Sequence, residues 1–220
     1  MHYDVITFDC YGTLIDWESG IAAAFEEAME RDGVRIDRND ILRGYAATEP
    51  LVEQERYRKY RDVLTETAMR VAHMYGWPLS YSRAEFLAES LPRWKPFADT
   101  NESLHRLRTR HRLGILTNCD DDLIAATIRD QLKIDFDLVV TAEQLRAYKP
   151  APAHFITARE RIGDARWLHA AQSNYHDIIP TNLLNIDNAW INRKHEPALP
   201  GGEPGHEFAD VKGLADWLCE

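Results

Sequence analysis

Residues 3 to 16 read Tyr3-Asp-Val-Ile-Thr-Phe-Asp-Cys-Tyr-Gly-Thr-Leu-Ile-Asp16. The apolar run around Val5 and Phe8 is typical of a buried parallel strand, and Gly12 ends it. A strand that stops at Asp9 places a carboxylate at the carboxyl end of a sheet, where open α/β folds bind their ligands. We therefore identify Asp9 as a candidate nucleophile, the alternative being an Asp that only caps a turn before glycine.

The remaining chain changes character part-way along. Residues 16–91 carry helical patterns and contain no strand candidate, whereas later residues alternate short apolar runs with helical patterns. Such alternation predicts a parallel sheet. The strand candidates are residues 112–118, 136–141, 167–171 and 189–192. The sequence therefore predicts an α/β fold, a doubly wound and mostly parallel sheet built from residues 1–14 and 95–220, with an all-helical cap domain, residues 15–94, inserted into it.

Composition restricts the partners of the chain. Its 36 acidic and 26 basic residues give a formal charge of −10, which argues against binding to nucleic acid or to an anionic membrane. No apolar run is long enough to span a bilayer, and no basic region precedes an apolar segment near residue 1, so a cytoplasmic protein is expected. The three cysteines have no disulfide or metal-ligand spacing, which fits a reducing compartment.

Polar residues end or follow three of the later strand candidates, in order along the chain. Thr117 and Asn118 offer a hydroxyl and an amide that could position a substrate or receive a leaving group. Lys149 could hold an attacking carboxylate ionised, and Asp177 could orient or deprotonate water. Each alone is equally consistent with a turn, a solvated loop or a helix cap. One such group at each strand end, together with Asp9, is typical of an active site.

With these motifs in place, the chain resembles the haloacid dehalogenase superfamily. The resemblance rests on Asp9-Cys-Tyr-Gly-Thr13, Leu116-Thr-Asn118, Lys149-Pro150 and Gln172 to Asp177, and the helical insertion matches the first cap position of that superfamily. The resemblance implies the same fold. Function is a separate question, because most members are magnesium-dependent phosphatases.

Two residues depart from the phosphatase pattern. Tyr11 stands where phosphatases place a general-acid Asp, and Gln172 stands where they place an acidic magnesium ligand. Magnesium prefers carboxylate oxygens, so a neutral Gln should weaken its binding. The ordinary pKa of a tyrosine, near 10, makes Tyr11 a poor substitute for a carboxylic acid.

The pattern Asp-x-Tyr-Gly-Thr instead resembles the L-2-haloacid dehalogenase (type II) family. The resemblance implies that Asp9 displaces halide from carbon 2 of an (S)-2-haloacid or a haloacetate and forms an ester. It implies that Asp177, with Lys149 and Thr13, supports attack of water on that ester, giving a 2-hydroxy acid without metal or other cofactor. Asn174 would join this catalytic set.

The resemblance also implies a substrate pocket. A cap arginine should receive the halide together with Asn118; Arg43 is the best match, although Arg56, Arg58 and Arg61 lie nearby. Tyr60 matches an aromatic residue of that pocket. The remaining pocket positions are Tyr11, Thr117, Ser173 and His176.

Three residues differ from better-known members of that family, and they leave the substrate open. Phe155 replaces a Tyr whose hydroxyl usually meets the lysine, Gln172 replaces a Ser, and His176 replaces a Trp. Two other interpretations remain: a phosphatase with an atypical metal site, and a non-catalytic binding protein with this fold. The expected partner is a small anionic halocarboxylate, and the aromatic-rich cap helix is compatible with a homodimer.

Overall fold

A computed structural model describes residues 3–220, so the first two residues of the predicted core lie outside the described part. The centre of the fold is a six-stranded sheet in the order β3-β2-β1-β4-β5-β6, in which every neighbouring pair is parallel. The strands are β1 (Val5–Phe8), β2 (Arg112–Thr117), β3 (Leu138–Thr141), β4 (Trp167–Ala171), β5 (Asp187–Ile191) and β6 (His206–Phe208). The predicted fold class is confirmed. Strand β6 was not predicted, because its three residues are only partly buried or exposed and lack an apolar pattern.

Sheet register brings the chemistry-bearing ends together. Phe8 pairs with Ile115 on one side and with Ala170 on the other. All four residues of β1 are buried, as a strand covered on both faces requires. The segments that continue from β1, β2 and β4 therefore leave the same edge of the sheet side by side.

Helices occupy most of the remaining chain. In chain order they are α1 (Trp17–Asp32), α2 (Arg38–Glu53), α3 (Tyr60–Met74), α4 (Tyr81–Ala84), α5 (Phe86–Ser90), α6 (Thr100–Arg108), α7 (Asp121–Thr127), α8 (Ala142–Leu145), α9 (Ala153–Ile162), α10 (Ile179–Leu183) and α11 (Val211–Cys219). The sequence predicts that the second helix breaks near Pro50, because proline lacks a backbone N–H and disrupts a helix. Helix α2 instead continues through Pro50. Its buried face extends to Val52, so packing outweighs the proline. The sequence pattern predicts one helix over 82–90, with Glu85 completing a capping box at its start. This prediction is wrong: the helix divides at Glu85, and that side chain forms no cap.

The chain forms two compact units. The first comprises the residues up to 16 with 96–118 and 132–220 and contains the sheet; the second comprises 17–95 and 119–131 and is helical. The sequence predicts residues 119–131 as part of the α/β core, whereas the structure groups them with the helices. Asp120 explains this grouping, because its buried carboxylate accepts from the backbone N–H groups of Tyr60 and Arg61 and so caps α3.

No helix among residues 3–220 is both long enough and apolar enough to cross a membrane.

Candidate active site

Asp9 lies one residue beyond β1, and its carboxylate is held at both oxygens. Thr13 Oγ1 donates to Asp9 Oδ2 at 2.9 Å, and Lys149 Nζ donates to Asp9 Oδ1 at 2.9 Å. Thr13 Oγ1 also accepts from the backbone N–H of Gln172 at 2.9 Å. Because the Thr13 hydroxyl accepts a hydrogen bond from Gln172 and donates its single proton to Asp9, the direction of its O–H bond is determined. Asp9 is 8% exposed, so its carboxylate is largely fixed but remains reachable.

Lys149 is a buried cation with all three ammonium protons engaged. Its Nζ donates to Asp9 Oδ1, to Asp177 Oδ1 at 2.7 Å and to the carbonyl of Leu116 at 2.9 Å. Burial alone lowers the pKa of Lys149, but the carboxylates of Asp177 and Asp9 outweigh burial and raise it above its ordinary value. Lys149 therefore places a permanent positive charge between two carboxylates.

Asp177 is the second carboxylate of this cluster and is fully buried. Burial raises its pKa, but the charge of Lys149 and a hydrogen bond from His169 overcome that effect and hold the pKa of Asp177 well below its usual range. Asp177 Oδ1 takes both hydrogen bonds. Within residues 3–220, Asp177 Oδ2 is buried and has no hydrogen-bond partner. A buried carboxylate oxygen without a partner is suited to receive a proton from a bound water.

The loop that carries Thr13 is tightly constrained. Gly12 has a φ of +100°, a conformation that favours glycine, and its N–H donates to the carbonyl of Ile15 at 2.8 Å. Arg193 donates to the carbonyl of Thr13 at 2.8 Å and is paired through both terminal nitrogens with Asp99, at 2.9 and 3.0 Å. This bidentate pair anchors the loop from outside the Asp9 cluster.

The residues after β2 support Lys149. Asn118 Nδ2 donates to the Lys149 carbonyl at 3.1 Å, and the Lys149 N–H donates to Asn118 Oδ1 at 2.7 Å. The carbonyl oxygen and one N–H of the Asn118 amide are thus used by the backbone of Lys149, whereas its second N–H takes no part in this pair. The buried Thr117 Oγ1 has no hydrogen-bond partner within residues 3–220.

The residues after β4 form two separate sets of hydrogen bonds. Ser173 Oγ accepts from the His176 N–H at 3.0 Å and lies 3.1 Å from His176 Nδ1, which keeps these two predicted pocket residues together. Asn174 turns elsewhere: its Nδ2 donates to the Gly202 carbonyl at 2.8 Å, and its Oδ1 accepts from the Leu199 N–H at 3.2 Å. Its amide therefore holds the loop before β6 and does not join the Asp9 hydrogen bonds.

Two predicted pocket residues belong to the helical unit. Arg43 lies on α2, pairs with Asp40, and its side chain is 70% exposed. Tyr60 begins α3, and its hydroxyl donates to Glu49 Oε1 at 3.2 Å and lies 3.2 Å from the Tyr45 hydroxyl. Burial raises the pKa of Glu49 to about 7 despite the hydrogen bond from Tyr60. Tyr11, the other aromatic residue of the predicted pocket, is partly exposed in the loop after β1. The roles of Arg43, Tyr60 and Tyr11 stay predictions.

One residue of the site was missed from the sequence. His169 lies within β4, is fully buried, and places Nε2 3.0 Å from Asp177 Oδ1. The available signal was a histidine inside an otherwise apolar strand, where burial of an imidazole requires partners. Phe155, which replaces the expected Tyr, packs edge-on against the His169 ring with centroids 5.3 Å apart.

The donor set does not fit magnesium. The two carboxylates at this edge already share the ammonium of Lys149, and position 172 supplies a neutral amide. Residues 3–220 contain no cluster of three or more acidic, histidine or cysteine side chains arranged to hold a metal ion. A hard divalent cation would meet too little uncompensated negative charge here.

Comparison with known proteins identifies the family. The haloacid dehalogenase-like hydrolase family model matches residues 3–171, most of the chain. The chain belongs to the haloacid dehalogenase-like hydrolases. The predicted family and the prediction of a hydrolase are therefore confirmed.

Two of the curated proteins similar to this hydrolase illustrate the likeness, and both are named dehalogenases. Haloacetate dehalogenase H-2 of Moraxella sp. (strain B) is 28% identical over 196 residues, covering 86% of each protein. (S)-2-haloacid dehalogenase of Pseudomonas putida is 25% identical over 218 residues, covering 97% of this chain and 95% of the relative. Among solved structures, L-2-haloacid dehalogenase from Xanthobacter autotrophicus with covalently bound chloropropionic acid has a TM-score of 0.81, 17% identity and 97% coverage of each chain. That likeness shows the shared fold of the hydrolase.

Proposed function

We propose that this hydrolase converts an (S)-2-haloacid or a haloacetate into a 2-hydroxy acid and halide through an ester on Asp9. The observation that carries the proposal is the single hydrogen-bonded cluster of Asp9, Thr13, Lys149 and Asp177. It combines a reachable carboxylate, a fixed cation and a second carboxylate with an unpartnered oxygen. These are the groups that displacement followed by ester hydrolysis needs.

In the first step, an oxygen of Asp9 attacks carbon 2 of the substrate. A C–O bond forms as the C–halogen bond breaks, and the halide leaves with the bonding electron pair. Thr13 and Lys149 hold the Asp9 carboxylate in one orientation, which favours an in-line approach. Inversion at carbon 2 would give a D-2-hydroxy acid from an (S) substrate.

In the second step, water attacks the Cγ atom of the Asp9 ester. Asp177 Oδ2 takes a proton from the water, and Lys149 and Thr13 stabilise the negative charge on the former carboxylate oxygen. The Cγ–O bond to the substrate then breaks, and the product alkoxide receives the proton from Asp177. The Asp9 carboxylate is regenerated with one oxygen from the water. The second proton of that water is released to solvent.

The relatives support the carbon–halogen chemistry. Two curated relatives that span most of the chain are named haloacetate dehalogenase and (S)-2-haloacid dehalogenase. The neighbouring structure from Xanthobacter autotrophicus contains chloropropionic acid bound covalently. A covalent adduct of a haloacid is the species that nucleophilic attack by a carboxylate at the position of Asp9 would produce.

Halide release tests the proposal directly. The enzyme is incubated in EDTA with each enantiomer of 2-chloropropionate, with chloroacetate and with fluoroacetate. We expect halide from the (S) enantiomer or the haloacetates in wild type, none from Asp9→Asn, and wild-type rates from Asp135→Asn, a control at an exposed carboxylate. In ¹⁸O-water, a single turnover should label Asp9 and leave the product unlabelled. No halide from any of these acids, with magnesium-dependent cleavage of p-nitrophenyl phosphate, would instead indicate a phosphatase.

The halide site needs a cation beyond Lys149, because one ammonium already serves two carboxylates. Arg43 is the proposed cation, and its exposed guanidinium can move away from Asp40 at little cost. Arg43→Ala should lose most turnover, while Arg38→Ala, an exposed arginine on the same helix, should keep it. Normal kinetics in Arg43→Ala would transfer the role to Arg56, Arg58 or Arg61.

A further inference from the structure

A buried series of hydrogen bonds reaches Asp177 through the sheet. Trp167 Nε1 donates to Thr7 Oγ1 at 2.7 Å, and Thr7 Oγ1 lies 2.8 Å from His169 Nδ1. His169 Nε2 lies 3.0 Å from Asp177 Oδ1. Thr7 and His169 have no exposed surface, and Trp167 is 8% exposed. The series therefore runs from β4 across β1 and back to β4 with almost no access to solvent.

The hydrogen-bond partners of His169 indicate which of its two ring nitrogens carries the proton. An indole Nε1 can only donate, so Thr7 Oγ1 accepts from Trp167 and has one proton left to donate. The partner in line for that proton is His169 Nδ1. A neutral His169 then carries its proton on Nε2 and donates it to Asp177 Oδ1, so that both imidazole nitrogens are satisfied.

This arrangement makes the two oxygens of Asp177 different. Oδ1 accepts from both Lys149 and His169, whereas Oδ2 has no partner among residues 3–220. The Asp177 carboxylate can rotate about the Cβ–Cγ bond only if both hydrogen bonds to Oδ1 are broken. The hydrogen bond from Lys149 alone would fix only the position of Asp177 Oδ1. The second hydrogen bond, from His169, also fixes the plane of the carboxylate group.

We propose that His169 is a positioning residue that locks Asp177 with Oδ2 turned toward the water that hydrolyses the Asp9 ester. The role rests on the proposed function and assigns to His169 a specific step, the second. It also accounts for Phe155: the position holds no hydroxyl for Lys149, and the ring instead packs against the imidazole that keeps Asp177 in place.

Two substitutions at this position separate positioning from packing. His169→Leu removes the donor, while His169→Gln can return an N–H near the place of Nε2. In His169→Leu we expect the first equivalent of halide to appear at close to the wild-type rate, followed by a steady-state rate about 10- to 100-fold lower, as for loss of a supporting hydrogen bond. The Asp9 ester should accumulate as a mass increase in the intact protein. His169→Gln should recover most of the steady-state rate.

A matched control is His111→Gln, which alters another buried histidine, one bonded to the carbonyl of Tyr3. His111→Gln should release the first equivalent of halide and then continue in the steady state, both at wild-type rates. Equal slowing of both phases in His169→Leu, without recovery in His169→Gln, would overturn the proposal and leave His169 as a packing residue.

A measurement without haloacid keeps this inference distinct from the proposed function. Long-range ¹H–¹⁵N NMR of the wild-type protein should show His169 with its proton on Nε2, and Thr7→Val should weaken that preference. A proton on Nδ1 in wild type would overturn the proposal even if the enzyme releases halide. Absence of halide from wild type would overturn the proposed function, and the positioning of the ester-hydrolysis step with it, while the NMR result would still decide the hydrogen-bond series.

Discussion

Lys149 Nζ donates to Asp177 Oδ1 at 2.7 Å, and each of these side chains is 1% exposed. Removing two charges from water costs several kcal/mol per ion, about as much as their attraction returns. The pair is therefore a weak source of stability as a whole, yet breaking it leaves a buried charge uncompensated. Its main effect is to fix the geometry of the cluster, which suits positioning of Asp9.

Replacing the cation should be costly. Lys149→Met leaves Asp9 and Asp177 as two buried carboxylates without a counter-charge, so we expect the free energy of unfolding to fall by about 3–5 kcal/mol at pH 7. Urea unfolding followed by circular dichroism measures this. The double variant Lys149→Met with Asp177→Asn should recover part of the loss; a double variant less stable than the single one would contradict the explanation.

The stability contributed by Asp177 should depend on pH with a definite sign. Its folded-state pKa lies below the unfolded value, about 3.9, so its stabilisation is present above that value and is lost as the pH falls through the folded pKa. Asp177→Asn should therefore be less stable than wild type at pH 7, and the difference should narrow below about pH 4. Unfolding of both proteins at pH 7, 4 and 3 provides the comparison, with Asp135→Asn as an exposed control. If wild type and Asp177→Asn differ in free energy of unfolding by the same amount at every pH, the charge of Asp177 is not the origin of that difference.

The Thr13 hydroxyl should matter more for rate than for stability. Thr13→Val removes the donor to Asp9 Oδ2 and leaves the Gln172 N–H without an acceptor. We expect halide release to slow by about 10²-fold, as for loss of a donor to a developing charge, and stability to fall by about 1–2 kcal/mol. Thr13→Ser keeps the hydroxyl and should retain most activity. Equal losses in the Val and Ser variants would contradict the explanation, because the Ser variant retains the hydroxyl.

Arg193 should support the Thr13 loop through its planar geometry. Arg193→Lys keeps the charge but cannot pair with Asp99 through two nitrogens while also donating to the Thr13 carbonyl. The free energy of unfolding should fall by about 1–3 kcal/mol, accompanied by slower halide release. The same change at exposed Arg129, which pairs with its neighbour Asp130, should leave both unchanged.

Asp120 should stabilise the helical unit by capping α3. Asp120→Ala leaves the N–H groups of Tyr60 and Arg61 without their acceptor, with an expected loss of about 1–2 kcal/mol in thermal or urea unfolding. Asp120→Asn should lose less, because an amide oxygen can accept one of these bonds. Asp122→Ala breaks an exposed ion pair with Arg61 and should change stability by less than about 1 kcal/mol.

Much of the fold could be predicted from local pattern. The apolar runs around Val5 and Leu168 identified buried parallel strands, because a strand covered on both faces has few polar residues. Where packing overrides local preference, the pattern failed. Helix α2 passes through Pro50 because its buried face continues to Val52, and residues 119–131 join the helical unit because Asp120 caps α3 from 60 residues away.

The residues of the candidate site could partly be predicted for the same reason. Asp9 and Thr13 follow β1, Lys149 follows β3 and Asp177 follows β4, and parallel strands carry the residues beyond their ends to one edge of the sheet. The amide of Asn174 was assigned to this set, yet its hydrogen bonds go to the loop at Leu199 and Gly202. The direction of a side chain within a loop depends on partners that are remote in sequence.

By itself, then, the sequence determined the α/β class, which depends on the periodicity of apolar residues, and the family, which its motifs around Asp9, Lys149 and Asp177 resemble. Only the tertiary structure decided which oxygen of Asp177 is left open. That choice is made by Lys149 and by His169, whose tautomer depends in turn on Thr7 and Trp167. Hydrogen bonds between strands 160 residues apart in the chain have no local signature, since their geometry exists only once the sheet has formed.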